Sequence, residues 1–122
     1  MPDKRPLVRQ RDETPSADWA FGRMQRIVTG GDGGVANVHV AKCTGLPAFF
    51  HTGYDEIYYV LSGTAKVTLD GTTYPLRPGS VVVIPAGTSH TLDIEPGQEL
   101  EFVIFGSPPL PIDDEKAKPR RA

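Results

Sequence analysis

Cysteine is almost absent: Cys43 is the only one in the chain, which excludes an internal disulfide and any thiolate-rich zinc site and suits a reducing compartment. No apolar run approaches the roughly 20 residues needed to cross a bilayer as a helix, so a membrane is not an expected partner. Basic charge is not in excess either. Thirteen Lys and Arg against 15 Asp and Glu leave a net charge of -2, with no field to hold a phosphate backbone, and nucleic acid is not expected as a partner. The opening MPDKRPLVRQRDETP lacks the apolar segment of a secretory signal, so the expected location is the cytoplasm. Sustained helical periodicity is missing from every window, which argues against a helical domain.

What the chain does contain is short β-rich segments separated by turn residues. Gly and Pro recur at Gly30 to Gly34, Gly45 to Pro47, Gly63, Gly71, Pro78-Gly79, Pro85 to Gly87 and Pro96-Gly97. Between them, residues 35–43, 56–61, 65–69, 72–76, 81–84, 90–94 and 100–105 read as strands, rich in Val, Ile, Tyr, Phe or Thr. In TAKVTLDGTTYPL, Ala65, Val67 and Leu69 alternate with polar residues, and Asp70-Gly71 supplies the turn of a tight hairpin. The run VVVI at Val81 is apolar at every position, as expected of a strand lying between two layers or under a partner subunit. Many short strands with turns at this spacing predict a single all-β domain, a sandwich or small barrel. The expected organisation is an N-terminal arm over 1–17, a barrel domain over 18–109 and a charged, disordered tail over 110–122. Strands apolar on both faces predict self-association, as a homodimer.

Two stretches carry chemistry. FFHTGYDEIYYVLSG places His51 and Glu56 five positions apart, on opposite faces if the strand were unbroken. Gly53 offers a turn between them, which would make the two ligands cross-strand neighbours. GSVVVIPAGTSH ends on His90 just after another turn, so the three groups are expected to converge at a barrel mouth. Glu56 opens an apolar strand and requires a strong partner if buried. Tyr58 shares its face and would offer a hydroxyl to substrate, while core packing is the commoner role of such a Tyr. Phe49 and Phe50 are expected to line the pocket. Arg26, and less specifically Arg23, would bind a substrate carboxylate as a fork; the plainer reading of each is a solvated arginine. His39 in NVHV reads as an ordinary strand residue, with a role inside the cavity as the alternative. Cys43 reads as a small buried hydrophobe.

These two stretches resemble the paired motifs of the cupin superfamily. Gly79, the spacer SVVVI, Pro85-Ala86-Gly87, Thr88-Ser89 and His90 follow the second motif, whose final Asn is replaced by Ile94. Glu56, Gly63 and His51 follow the first, whose first histidine is replaced by Phe49. The phrases DEIYYVLSG and IPAGTSH are similar to small single-domain cupins of the mannose-6-phosphate isomerase-like type. The resemblance implies a double-stranded β-helix, or jelly roll, and a divalent ion (Fe, Mn, Ni or Zn) on His51, Glu56 and His90. It also implies a small-molecule substrate and chemistry of the dioxygenase, isomerase or lyase type, with His90, Tyr58 and Glu56 as catalytic residues. Two alternatives stand beside it: a metal-free isomerase or epimerase with His90 as base, and a non-catalytic binding or sensing module. Phe49 favours these, whereas the pairing of His51 with Glu56 favours the metal.

Overall fold

In the computed structural model, which describes residues 6–19, 21–50 and 53–109 and residues 47–50 by their backbone alone, the chain forms two antiparallel sheets. The strands are β1 (Ala17–Trp19), β2 (Gly22–Val28), β3 (Asn37–Cys43), β4 (Leu46–Phe50), β5 (Asp55–Ser62), β6 (Ala65–Leu69), β7 (Thr72–Leu76), β8 (Val81–Ile84), β9 (His90–Asp93) and β10 (Leu100–Ser107). One sheet runs in the order β1-β2-β3-β10-β5-β8 and the other β4-β9-β6-β7. Three-residue turns of 3₁₀ helix occur at Arg11–Glu13 and Gly30–Asp32. Neighbours in space that are distant in sequence, such as β3 beside β10 and β4 beside β9, close the two sheets around one interior as a jelly roll.

Side-chain alternation decides which face is inside. On β5 Glu56, Tyr58 and Val60 are buried while Ile57 and Tyr59 are exposed; on β10 Leu100, Phe102 and Ile104 are buried. Phe102, Ile84, Leu100, Val60 and Val67 form the fully enclosed centre. Each such side chain contributes about 1.5–3 kcal/mol by leaving water. The Asp70-Gly71 hairpin turn is as expected, with both residues at positive φ. Gly63, which ends β5 at φ 89°, has no alternative: a Cβ there would overlap the backbone of Glu99.

Two strands, β1 and β2, escaped the sequence reading, whereas β4 is the strand that the Gly53 turn implies before Asp55. On β2, GRMQRIV, polar residues occupy both faces, so no alternation appears. The outer face is nevertheless covered, by residues 6–16. Arg9 donates to both carboxylate oxygens of Asp32 at 2.7 and 2.8 Å, Arg11 to Glu101 at 2.6 Å, and Gln25 to the Arg11 and Thr14 carbonyls. This charged clamp lies over the side of the sheet on which Val40 is buried. The burial of VVVI also differs from a strand enclosed on both faces: within this chain Val82 and Ile84 are buried, whereas Val81 and Val83 are 59% and 62% exposed. The tail over 110–122 and His51 lie outside the described residues.

Candidate functional site

The turn that ends at His90 is held from both sides. The Thr88 amide donates to the Pro85 carbonyl at 3.0 Å, the Ala86 amide to Asp55 Oδ1 at 2.8 Å and the Ser89 amide to Asp70 Oδ1 at 2.9 Å. His90 thus enters β9 fully buried, with its ring fixed. Its Nδ1 lies 3.1 Å from the Thr88 carbonyl, which only accepts, so Nδ1 carries the proton and Nε2 presents a lone pair inward. That Nε2 lies 3.4 Å from the Tyr58 hydroxyl and 3.9 Å from Glu56 Oε1.

Glu56 is 5% exposed, and its Oε1 has no hydrogen-bond partner among the described residues. Burial pushes its carboxyl up to about 7, because the charged form is poorly solvated there. Tyr58 is buried against Phe102, ring centroids 4.7 Å apart, and burial followed by the nearby Glu56 drives its hydroxyl well above the usual range. Three of the expected residues, Glu56, Tyr58 and His90, therefore meet at one point inside the barrel.

The rest of the wall follows from register. Phe50 stands opposite His90 across β4 and β9. His51, and the side chains of Phe49 and Phe50, lie outside the described residues. Arg26 on β2 is half-buried and stands opposite His39 on β3, whose Nδ1 is buried without a partner among the described residues. Arg23, by contrast, is on the exposed face, paired with Asp18 at 2.9 Å. Cys43 is buried, and burial pushes its thiol up to about 11, as expected of an inert side chain. Sequence reasoning missed Asn37 and Tyr54. Asn37 is buried across Gly106 from Glu56, and a Cβ on Gly106 would come within 3.1 Å of the Tyr54 ring. The glycine makes room for Tyr54 beside the acid, and the parity of NVHV, which sets Asn37 on the face of His39, was the available signal.

Among the described residues no three His, Cys, Asp or Glu side chains are grouped to hold one ion. The two donors that do converge nevertheless fit one. Glu56 Oε1 and His90 Nε2, 3.9 Å apart, are too far for a hydrogen bond and within the about 4.2 Å that two ligands at about 2.1 Å from a common ion can span. The tautomer of His90, fixed by Thr88, is the one a metal ligand requires.

Two antiparallel sheets around one interior, with Glu56, Tyr58 and His90 buried inside it, define a small β-barrel of the jelly-roll class. The chain belongs to the cupin domain family, whose model matches residues 36–106. Over 55 residues it is 38% identical to an uncharacterized protein of Streptomyces coelicolor, covering 45% of this chain and 51% of that one. Over 62 residues it is 34% identical to the polyketide synthase CurC of Streptomyces cyaneus, covering 51% of this chain and 40% of that protein. The matched stretch thus spans about half, or less, of the length of these relatives. Among solved structures it is similar to the polyketide cyclase RemF from Streptomyces resistomycificus, with TM-score 0.69 and 20% identity over 84% of this chain and 79% of that one. At that identity the likeness shows the shared fold.

Proposed function

We propose that this chain is a small-molecule enzyme whose reacting centre is Glu56, Tyr58 and His90, with a divalent ion held by His51, Glu56 and His90. The observation that carries the reading is Glu56 Oε1, a buried carboxylate oxygen without a partner among the described residues and 3.9 Å from the unprotonated nitrogen of His90. A buried polar atom left unmet costs about 1–3 kcal/mol, and more when charged, so such an arrangement persists where a ligand completes it. When bound, Fe, Mn, Ni or Zn would supply a Lewis acid for a substrate oxygen. The chain's own groups then have separate tasks. The Thr88 carbonyl keeps His90 in one tautomer, Tyr58 donates its hydroxyl hydrogen to a substrate oxygen, and Glu56 would hold the ion as a carboxylate, whereas in the metal-free protein it would itself take or return a proton near neutral pH. Phe49, Phe50 and Arg26 would bind the substrate.

Of the dioxygenase, isomerase and lyase readings, proton transfer next to a carbonyl asks least beyond these groups. Two relatives named for polyketide chemistry support that direction. A metal-free isomerase is the second reading, favoured by the 3.4 Å approach of Tyr58 to His90, which already pairs an acid with a base. Elemental analysis of untagged protein purified without chelator separates the two. Near-stoichiometric metal, lost in His90→Ala, supports the first reading, and its absence from the native protein would reject it.

A further inference from the structure

Two exposed carboxylates take over where main-chain pairing ends, on either side of the turn that leads into His90. The pairing of β6 with β9 runs to Leu69 opposite His90, and the next residues in register are Asp70 and Ser89. There the Asp70 amide donates to the Ser89 carbonyl at 2.9 Å, as in an ordinary antiparallel pair. The return bond is different. Asp70 lies at φ 45°, the sole positive φ outside glycine among the described residues, because its chain is turning into the β6–β7 hairpin. The Ser89 amide donates to the side chain instead, to Asp70 Oδ1 at 2.9 Å. On the other side, the pairing of β5 with β8 ends at Glu56 opposite Ile84, and two residues on the Ala86 amide donates to Asp55 Oδ1 at 2.8 Å. The turn itself is already closed by the Thr88 amide on the Pro85 carbonyl at 3.0 Å. What the two carboxylates add is a fixed orientation of that turn, with one tether from each sheet.

We propose that Asp55 and Asp70 are positioning residues: by tethering Ala86 and Ser89 they hold the Thr88 carbonyl against His90 Nδ1, and so keep Nε2 unprotonated and facing Glu56. The proposal rests on the reading of His90 and Glu56 as members of the reacting centre. Thr88 lies between the two tethered residues, and its carbonyl, 3.1 Å from Nδ1, is the acceptor that selects the tautomer. Asp55 directly precedes Glu56, so its tether joins the strand of the acid to the turn of the base. The 3.9 Å separation of Glu56 Oε1 and His90 Nε2 is thereby linked to a bond on the outside of the barrel. Asp70 acts from the opposite sheet and grips Ser89, the neighbour of His90, through two bonds. With both tethers gone the Thr88 carbonyl is free to turn away, and the ring loses the acceptor that favours Nδ1–H over Nε2–H. An exposed hydrogen bond adds little to folding stability, so the loss should register at His90 far more than in unfolding.

The test reads the histidine tautomer directly, by long-range proton–nitrogen correlation NMR on the metal-stripped full chain, with the His90 signals identified by their loss in His90→Gln. Native His90 should carry its proton on Nδ1. The double variant Asp55→Ala, Asp70→Gly keeps a residue suited to the left-handed turn at 70 but removes both acceptors, and should show a mixture of tautomers. Its zinc affinity, by competition with a chromophoric chelator, should fall about tenfold, the lower end of what groups that orient a metal ligand cost when lost. Asp55→Asn and Asp70→Asn keep an acceptor oxygen and should retain both the native tautomer and the native zinc affinity. If the double variant does not fold, Asp70→Gly alone carries the test with the same direction of change. A native ring protonated on Nε2, or a folded variant that keeps the pure Nδ1–H form, overturns the proposal. Asn variants that behave like the double variant overturn it too, since charge and not the bond would then be responsible. A tautomer that depends on both tethers in a protein that binds no zinc would leave the positioning role standing and reject the metal centre instead.

Discussion

Glu56 and His39 are both inward-facing and ionisable, yet burial moves their stabilities in opposite directions with pH. His39 sits near 4 against an ordinary 6.5, chiefly through burial and secondly through Arg26. As pH falls from 6.5 towards 4, the unfolded chain takes up the proton first, so folding stability is lost across that window, by at most about 3 kcal/mol. His39→Gln should flatten this acid limb in chemical denaturation at pH 7 and pH 4.5; an unchanged slope would contradict the buried environment. Glu56 is the reverse case, raised to about 7, so in metal-stripped protein stability falls as pH rises from 4.5 to 7. Glu56→Gln should therefore raise the Tm of the stripped protein at pH 8 while removing metal from the native one. If the proposed ion is there, Phe49→His restores the first histidine of the cupin motif beside His51, Glu56 and His90 and should tighten metal binding, read by competition with a chelator, without a required gain in activity.

At the scale of the strand, legibility followed alternation. β6 and β8 matched the expected bounds and β5 and β10 nearly so, because one face of each is apolar and inward; β7, which buries only Leu76, was legible from the Asp70-Gly71 hairpin turn instead. Arg23, Gln25 and Arg26 hide β2 from the same reasoning, since its inner face carries a polar residue and its outer face is covered by a clamp of distant residues. No local pattern encodes that Arg11 will meet Glu101. Of the candidate centre, the motif spacing pointed to Glu56 and His90, and alternation along β5 added Tyr58. Asn37 and Tyr54 join them only through the β3–β10–β5 register and the gap at Gly106. This gap makes a prediction at the level of the element: Gly106→Val should displace Tyr54 and destabilise the barrel by about 1–3 kcal/mol, measured by urea unfolding. Gly106→Ala, with one methyl at 3.1 Å, should cost less, and equal effects of the two would argue against packing as the reason for glycine.

The whole molecule presents two unlike halves on the outside of its larger sheet. Over β2, β3 and one end of β10 the residues 6–16 form a polar cover, with Arg11 reaching Glu101. Beyond it, Phe105, Ile57, Tyr59, Val81 and Val83 remain 38%, 41%, 43%, 59% and 62% exposed. Register makes them one surface, because Ile57 stands between Phe105 and Val83, and Tyr59 stands opposite Val81. β8 is moreover an edge strand, with backbone groups that no neighbour in its own sheet satisfies. Two copies packed face to face about a two-fold axis would cover this surface, and an isologous contact needs no second complementary patch. We predict a dimer by light scattering at micromolar concentration. Val83→Lys would set a charge at the centre of that contact on both copies at once, and should weaken association by 100-fold or more, about 3 kcal/mol, with the monomer still folded by circular dichroism. A native protein that runs as a monomer, or a Val83→Lys dimer as tight as the native one, would place the interface elsewhere or remove it.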